Sequence, residues 1–176
     1  KGPITVVAGK KRRLTFIEVP NEMNSMVDAA KIADIVLLTI DGHFGFEMET
    51  FEMLNILQVH GFPKVMGILT HMDLFDKAKH IKHAKKSLKK RFEEESFAGA
   101  KLFHLSGCLH GRYPKMEILN LARFLSIMKL RPLVWRNSHP YMVADRMEDL
   151  TPSGVVEQDR TVDRTVSLYG YLHGTN

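Results

Sequence analysis

Three apolar runs limit what this chain can fold into. Ile35-Val36-Leu37-Leu38-Thr39-Ile40-Asp41, Val65-Met66-Gly67-Ile68-Leu69-Thr70 and Ala100-Lys101-Leu102-Phe103-His104-Leu105-Ser106 are nearly continuous rather than alternating. A strand apolar on both sides of its pleat is covered on both faces, as in a parallel sheet. The intervening segments have helical spacing. Met23, Met26, Val27, Ala30 and Ala33 mark one helix. Residues 47–60 carry Phe51, Leu54 and Leu57 on one side, and Gly61-Phe62-Pro63 ends them. Residues 77–95 keep a narrow stripe of Ile81, Ala84, Leu88 and Phe92. Residues 117–128 place Ile118, Leu121, Ala122 and Leu125 inward. Strand and helix in alternation predict an α/β fold: an open, mostly parallel sheet with helices on both faces. Ahead of it, residues 4–8 and 14–19 read as strands joined by the basic turn at residues 9–13, a hairpin.

The alternation stops after Lys129. We expect a first domain over residues 1–130. An irregular, Pro-containing linker over 131–160 packs back on it through Trp135. A second, β-rich unit begins at 161–176, where Val166 to Leu172 alternates like an antiparallel strand. Hydrophobic residues make up 44%, which excludes a disordered chain. No apolar run approaches the roughly 18 residues that cross a bilayer, so no membrane partner is expected. No secretory signal is recognisable at the start, and Lys1 stands there rather than Met, as expected of part of something longer. A single cysteine, Cys108, gives no disulfide framework and points to a reducing setting. It also gives the nine histidines no thiolate partner, and no zinc site is expected. A net charge of +5 favours anionic partners such as RNA.

Ligands of open α/β sheets bind at the carboxyl ends of the strands. Two successive strand ends read Thr70-His71-Met72-Asp73 and Ser106-Gly107-Cys108. A carboxylate here can accept from guanine N1–H and the exocyclic amine, a donor pair that adenine lacks. A small residue on the next strand end lets a backbone N–H approach the guanine carbonyl. Asp73 is equally suited to cap the helix that follows, and Ser106-Gly107 to make an ordinary turn. Both readings stand on position alone.

The layout resembles a translational-type GTPase domain. Thr70-His71-Met72-Asp73 is similar to its N-K-x-D, and Ser106-Gly107-Cys108 to its S-A-K, with Thr for Asn, His for Lys and Gly for Ala. In this form they look like the BMS-type ribosome-assembly GTPases of the eukaryotic small-subunit processome. So do residues 42–50 (Gly-His-Phe-Gly-Phe-Glu-Met-Glu-Thr), 60–63, 99–103 and 139–151. The sister TSR type shares the architecture, but residues 44–50 fit it less well. The resemblance implies a P-loop GTPase-like fold followed by the start of a β-barrel-like unit. It also implies that Asp73 reads guanine, His71 lies over a face of the base and Thr70 braces the pocket. Ser106 and Gly107 would touch the far side of the base through backbone. GTP or GDP with Mg²⁺ would be the cofactor. The fold's phosphate cradle, G-x-x-x-x-G-K-[ST], does not occur in these residues and is expected before residue 1. The segment matching D-x-x-G is Glu18-Val19-Pro20-Asn21, where Glu18 is a candidate metal or switch residue. Without the Gly or a following Gln, hydrolysis is expected to be slow or partner-dependent, and absent from these residues alone. No catalytic residue is assigned.

Residues 77–91 hold eight cations in fifteen positions. Lys82, Lys85, Lys86, Lys89, Lys90 and Arg91 are candidate RNA contacts, as are Lys10, Lys11, Arg12 and Arg13 in the hairpin turn. A solvated helix face and a polar hairpin tip are the plain alternatives, and neither patch interleaves aromatics for base stacking. By resemblance the partners would be pre-rRNA and small nucleolar RNA of the processome, a cyclase-like processome factor and other assembly proteins, in the nucleus and nucleolus. Two functions fit: a GTP-binding factor in 18S pre-rRNA processing, or a scaffold whose nucleotide pocket has decayed and which binds pre-ribosomal RNA and assembly factors.

Overall fold

The computed structural model describes residues 2–10, 12–130 and 133–174. They form two compact units, Lys1–Arg131 and Pro132–Asn176.

In the first unit, β1 (Ile4–Val7) and β2 (Arg13–Phe16) pair antiparallel, Ile4 opposite Phe16 and Val7 opposite Arg13. The hairpin expected here forms, with β2 ending three residues before Val19. Then follow α1 (Met23–Ile32), β3 (Ile35–Asp41), α2 (Met48–Val59), β4 (Lys64–Thr70), α3 (Ala78–Glu95), β5 (Leu102–His104) and α4 (Lys115–Ile127). The strands β3, β4 and β5 lie side by side in that order, all parallel. β5 is shorter than the apolar run predicts. Two bonds continue its ladder past the assigned ends: Gly67 N–H to Lys101 O at 2.9 Å and Leu105 N–H to Leu69 O at 2.8 Å.

Alternate residues of a strand face opposite ways, and here both faces are covered. Val36, Leu38 and Ile40 of β3 and Val65 and Leu69 of β4 join Met26 and Ala30 of α1, Leu54 and Leu57 of α2 and Phe92 of α3. On the other face Ile35, Leu37, Met66 and Phe103 meet Leu121, Phe124 and Leu125 of α4 and Leu14 of β2. Burial on both faces is why the strand runs are continuous in sequence. A side chain at Gly67 would collide with Leu102 and Phe92, so the glycine lets α3 press on the sheet.

Arg12 holds the hairpin to α4. Its Nη1 donates to the carbonyls of Leu125, Ser126 and Met128 at 3.3, 2.9 and 2.7 Å. The last carbonyls of a helix lack intrahelical partners and carry partial negative charge. This corrects the expectation of Arg12 as an outward RNA contact: the unsatisfied helix end draws its guanidinium inward. Lys10 and Arg13 are exposed, and Lys11 lies outside the described residues.

The second unit also departs from expectation. Of the expected linker at 131–160, the described residues 133–160 are not irregular; they include α5 (Val134–Ser138), the nine-residue strand β6 (Tyr141–Asp149) and α6 (Ser153–Gln158). β6 pairs antiparallel with β7 (Val166–His173), with an irregularity between Ala144 and Arg146. A Cβ at Gly170 would lie 2.0 Å from Val143 O, so only glycine allows the close approach there. Trp135 meets Tyr141 at 5.6 Å and Tyr141 stacks on His173 at 5.2 Å. Most residues of β6 are exposed, so the backbone ladder, not burial, holds this strand. Burial writes the period of two into a sequence. A ribbon open on both faces lacks it, and the charged run at 145–149 hides the strand. Among the described residues no helix is long and apolar enough to cross a membrane.

Candidate functional site

The carboxyl ends of β3, β4 and β5 bring three loops together. Each side chain there is placed by the strand before it. After β4, His71 takes a left-handed conformation, φ 53°, and Met72–Leu74 makes one 3₁₀ turn. Met72 is buried and anchors the turn in the core, so Asp73 stands outward and exposed. The Asp73 amide donates to Ser106 O at 2.8 Å, tying the β4 loop to the end of β5.

The Asp73 side chain lies against Gly107. A Cβ built at Gly107 would sit 2.3 Å from Cγ and Oδ2 of Asp73, so glycine is required by space. Asp73 is not an N-cap of α3. That helix starts at Ala78 with Lys77 in the cap position and no capping side chain. Among the described residues, no hydrogen bond or ion pair engages the Asp73 carboxylate. It retains acceptor capacity at the mouth of the site.

Thr70 and His71 are tied to the neighbouring strand end. His71 Nδ1 lies 2.9 Å from Asp41 Oδ2 and 3.1 Å from Thr70 Oγ1, and Thr70 Oγ1 lies 3.4 Å from Ile40 O. The other Asp41 oxygen accepts from the amides of His43 and Phe44, at 2.7 and 3.1 Å. Thr70 thus braces two strand ends.

Ser106 differs from expectation. Its N–H donates to Glu117 Oε2 at 2.9 Å, its hydroxyl donates to Glu117 Oε1, and its carbonyl is taken by Asp73. The backbone of Ser106 is therefore already engaged; the amide of the buried Gly107 is the one with no bond among the described residues. Glu117 lies in the first turn of α4, next to free helix amides that favour an anion.

Past Gly107, a bridge between Leu109 and Arg112 closes a tight turn at His110 and Gly111, both with positive φ. It returns Tyr113 to the site. Burial, then the adjoining Cys108, then the Asp73 charge raise the Tyr113 hydroxyl above its ordinary pKa. His104, at the end of β5, is held below the usual imidazole range by burial and the Lys85 charge, with Glu117 opposing.

Sequence reasoning missed Asp41 and Glu117. Asp41 had a signal, since an Asp ends the β3 run much as Asp73 follows the β4 run. Glu117 had only its place in a helix first turn.

The basic helix α3 faces outward with Lys82 and Lys86 exposed, while Lys85 is half-buried. Lys89, Lys90 and Arg91 meet Glu93, Glu94 and Glu95 at 3.9, 3.6 and 3.9 Å. The Arg91 guanidinium also lies over Phe46 and Phe51, at 5.5 and 5.3 Å from the ring centres. Glu18 is exposed beyond β2. Among the described residues no group of three or more His, Cys, Asp or Glu could hold a metal ion.

Comparison with known proteins adds family relations to this geometry. The model "Tsr1, G-like domain" matches residues 4–126, and "AARP2CN (NUC121) domain" matches residues 129–176. Ribosome biogenesis protein bms1 of Schizosaccharomyces pombe is 66% identical over 99% of the chain, and BMS1 of Saccharomyces cerevisiae is 61% identical over 99%. The chain spans only 16% and 15% of those relatives' lengths. Among solved structures, the apo translation elongation factor SelB of Methanococcus maripaludis superimposes with a TM-score of 0.62 at 17% identity. That match covers 97% of this chain and 36% of SelB. At that identity the likeness concerns the fold, and it agrees with the open parallel sheet read from the strand and helix order and with the P-loop GTPase-like fold that the resemblance implies.

Proposed function

The chain belongs to the Tsr1 G-like domain family and resembles the BMS1 ribosome biogenesis proteins over its whole length, and on that footing we propose that it is the guanine-reading part of a GTP-binding ribosome biogenesis factor. The observation that carries this reading is Asp73: a carboxylate at a parallel-strand end, without a partner among the described residues, set against a glycine that no side chain could replace. Its two oxygens suit guanine N1–H and the exocyclic amine. The Gly107 amide suits the guanine carbonyl. Adenine would meet a carboxylate with no donor pair and an amide with no acceptor, and unmade hydrogen bonds of that kind discriminate between the bases. His71, exposed beside the site, would cover a face of the base.

The phosphates would be held elsewhere in the full-length protein, because these residues contain no Gly-rich phosphate loop. Glu18 alone is not a donor set for Mg²⁺, and no step is assigned to it. Any hydrolysis would belong to the full-length protein. Action in 18S pre-rRNA processing, in the nucleolus and alongside a cyclase-like factor and small nucleolar RNA, would be the wider setting.

The exposed cations of α3 support a second contact, with the phosphate backbone of pre-ribosomal RNA. Lys82 and Lys86 are the strongest candidates, since neither is drawn into an ion pair with the Glu93–Glu95 cluster. The surface pairs of Lys89 and Lys90 contribute roughly 0–1 kcal/mol each, so RNA could displace them.

The test is nucleotide binding by the full-length protein. The guanine-reading account expects GTP to bind well ahead of ATP, and Asp73→Ala to lose about tenfold or more of that affinity. Equal binding of the two nucleotides would instead support a scaffold with a decayed pocket.

A further inference from the structure

Asp41 lies on β3, outside the strand ends that would touch the base, yet three short contacts converge on its carboxylate. One oxygen accepts two backbone amides and closes the turn at residues 42–45; the other faces His71 Nδ1 at 2.9 Å. An ionised carboxylate accepts only, so the ring nitrogen must be the donor. The contact places a proton on His71 Nδ1, and in the neutral ring it leaves Nε2 an acceptor. The two loops are joined at three further points. Gly42 N–H donates to Thr70 O at 2.9 Å. A side chain at Gly42 would meet Met72 Sδ at 2.4 Å. The ring of His43 packs on Phe75 at 5.5 Å. His71 has a backbone conformation unusual for a residue with a side chain, which persists only where its surroundings enforce it.

We infer that Asp41 is a positioning residue for guanine nucleotide: through one carboxylate it ties the loop at residues 42–46 to the base-reading loop and holds His71 in a single tautomer and orientation. The inference rests on the base-reading role given to residues 71–73. Asp41→Asn separates positioning from folding. The single carbonyl oxygen of Asn goes to the two turn amides, and its NH₂ then faces Nδ1. A donor cannot bond a donor, so the His71 proton moves to Nε2.

Two measurements on one set of variants test it. In the full chain, ¹⁵N-labelled histidine spectra, with His71 assigned by its loss in His71→Gln, should show the Nδ1–H form, switching to Nε2–H in Asp41→Asn. In the full-length protein, Asp41→Asn should weaken GTP about three- to tenfold with its melting temperature nearly kept, whereas Asp41→Ala should lower both. An Nε2–H tautomer in the unaltered chain overturns the inference. So does unchanged GTP affinity in Asp41→Asn alongside a large loss in Asp73→Ala. Unchanged affinity in Asp73→Ala would instead overturn the base-reading role itself.

Discussion

At the residue scale the account rests on how Asp73 is kept available. Gly107 leaves its carboxylate room, and the Ser106 N–H and hydroxyl go to Glu117 rather than to the Asp73 carboxylate. Replacing Gly107 with Ala should therefore push the carboxylate aside. We expect about 1–3 kcal/mol of lost stability in chemical denaturation, the usual cost of overpacking, together with weaker GTP binding. His104 gives a pH prediction. Its lowered pKa comes from burial and then from Lys85, so the uncharged Lys85→Gln should let its imidazole titrate at higher pH, read by NMR. Because the fold disfavours the charged imidazole, His104 subtracts from stability as pH falls through its ordinary value and below, and Lys85→Gln should lessen that loss. The place of Asp73 and its glycine at neighbouring strand ends was legible in the sequence because the buried strand runs fix where those ends fall. Their supports were not. A hydrogen bond between Asp41 and His71, 30 positions apart, leaves no periodicity to read.

Among the elements, the buried strands and amphipathic helices of the first unit stood out because burial imposes spacing. Phe92 shows how much rests on such a stripe. It is fully buried beside Gly67, and Phe92→Ala should cost about 3–5 kcal/mol in denaturant unfolding. What burial did not impose was missed. β6 lies in an open ribbon, and its sequence looks like a charged linker. Arg12 looked like part of a basic tip because its pull toward α4 comes from helix-end carbonyls, which no side-chain pattern records. Its removal in Arg12→Ala should destabilise the first unit by about 1–2 kcal/mol, with little change in RNA affinity. An RNA-binding defect without lost stability would return Arg12 to the contact surface.

At the scale of the whole molecule, the fold agrees with the family match and with the translation-factor superposition, but a shared fold does not carry a function, and the guanine-reading proposal rests on the residues of one site. The basic face should add salt-sensitive RNA binding. Charge reversal at Lys82 and Lys86 should weaken it and flatten its dependence on salt, by roughly 0.7–0.9 in log–log slope for each phosphate no longer neutralised. The guanine claim is tested most directly by pairing a base change with a residue change. Inosine triphosphate lacks only the exocyclic amine that Asp73 is held to accept. The full-length protein should bind it about tenfold or more weakly than GTP, the worth of one hydrogen bond to a charged group. In Asp73→Ala the two nucleotides should bind alike. Equal affinities in the unaltered protein, or a preference for GTP that survives in Asp73→Ala, would contradict the assignment.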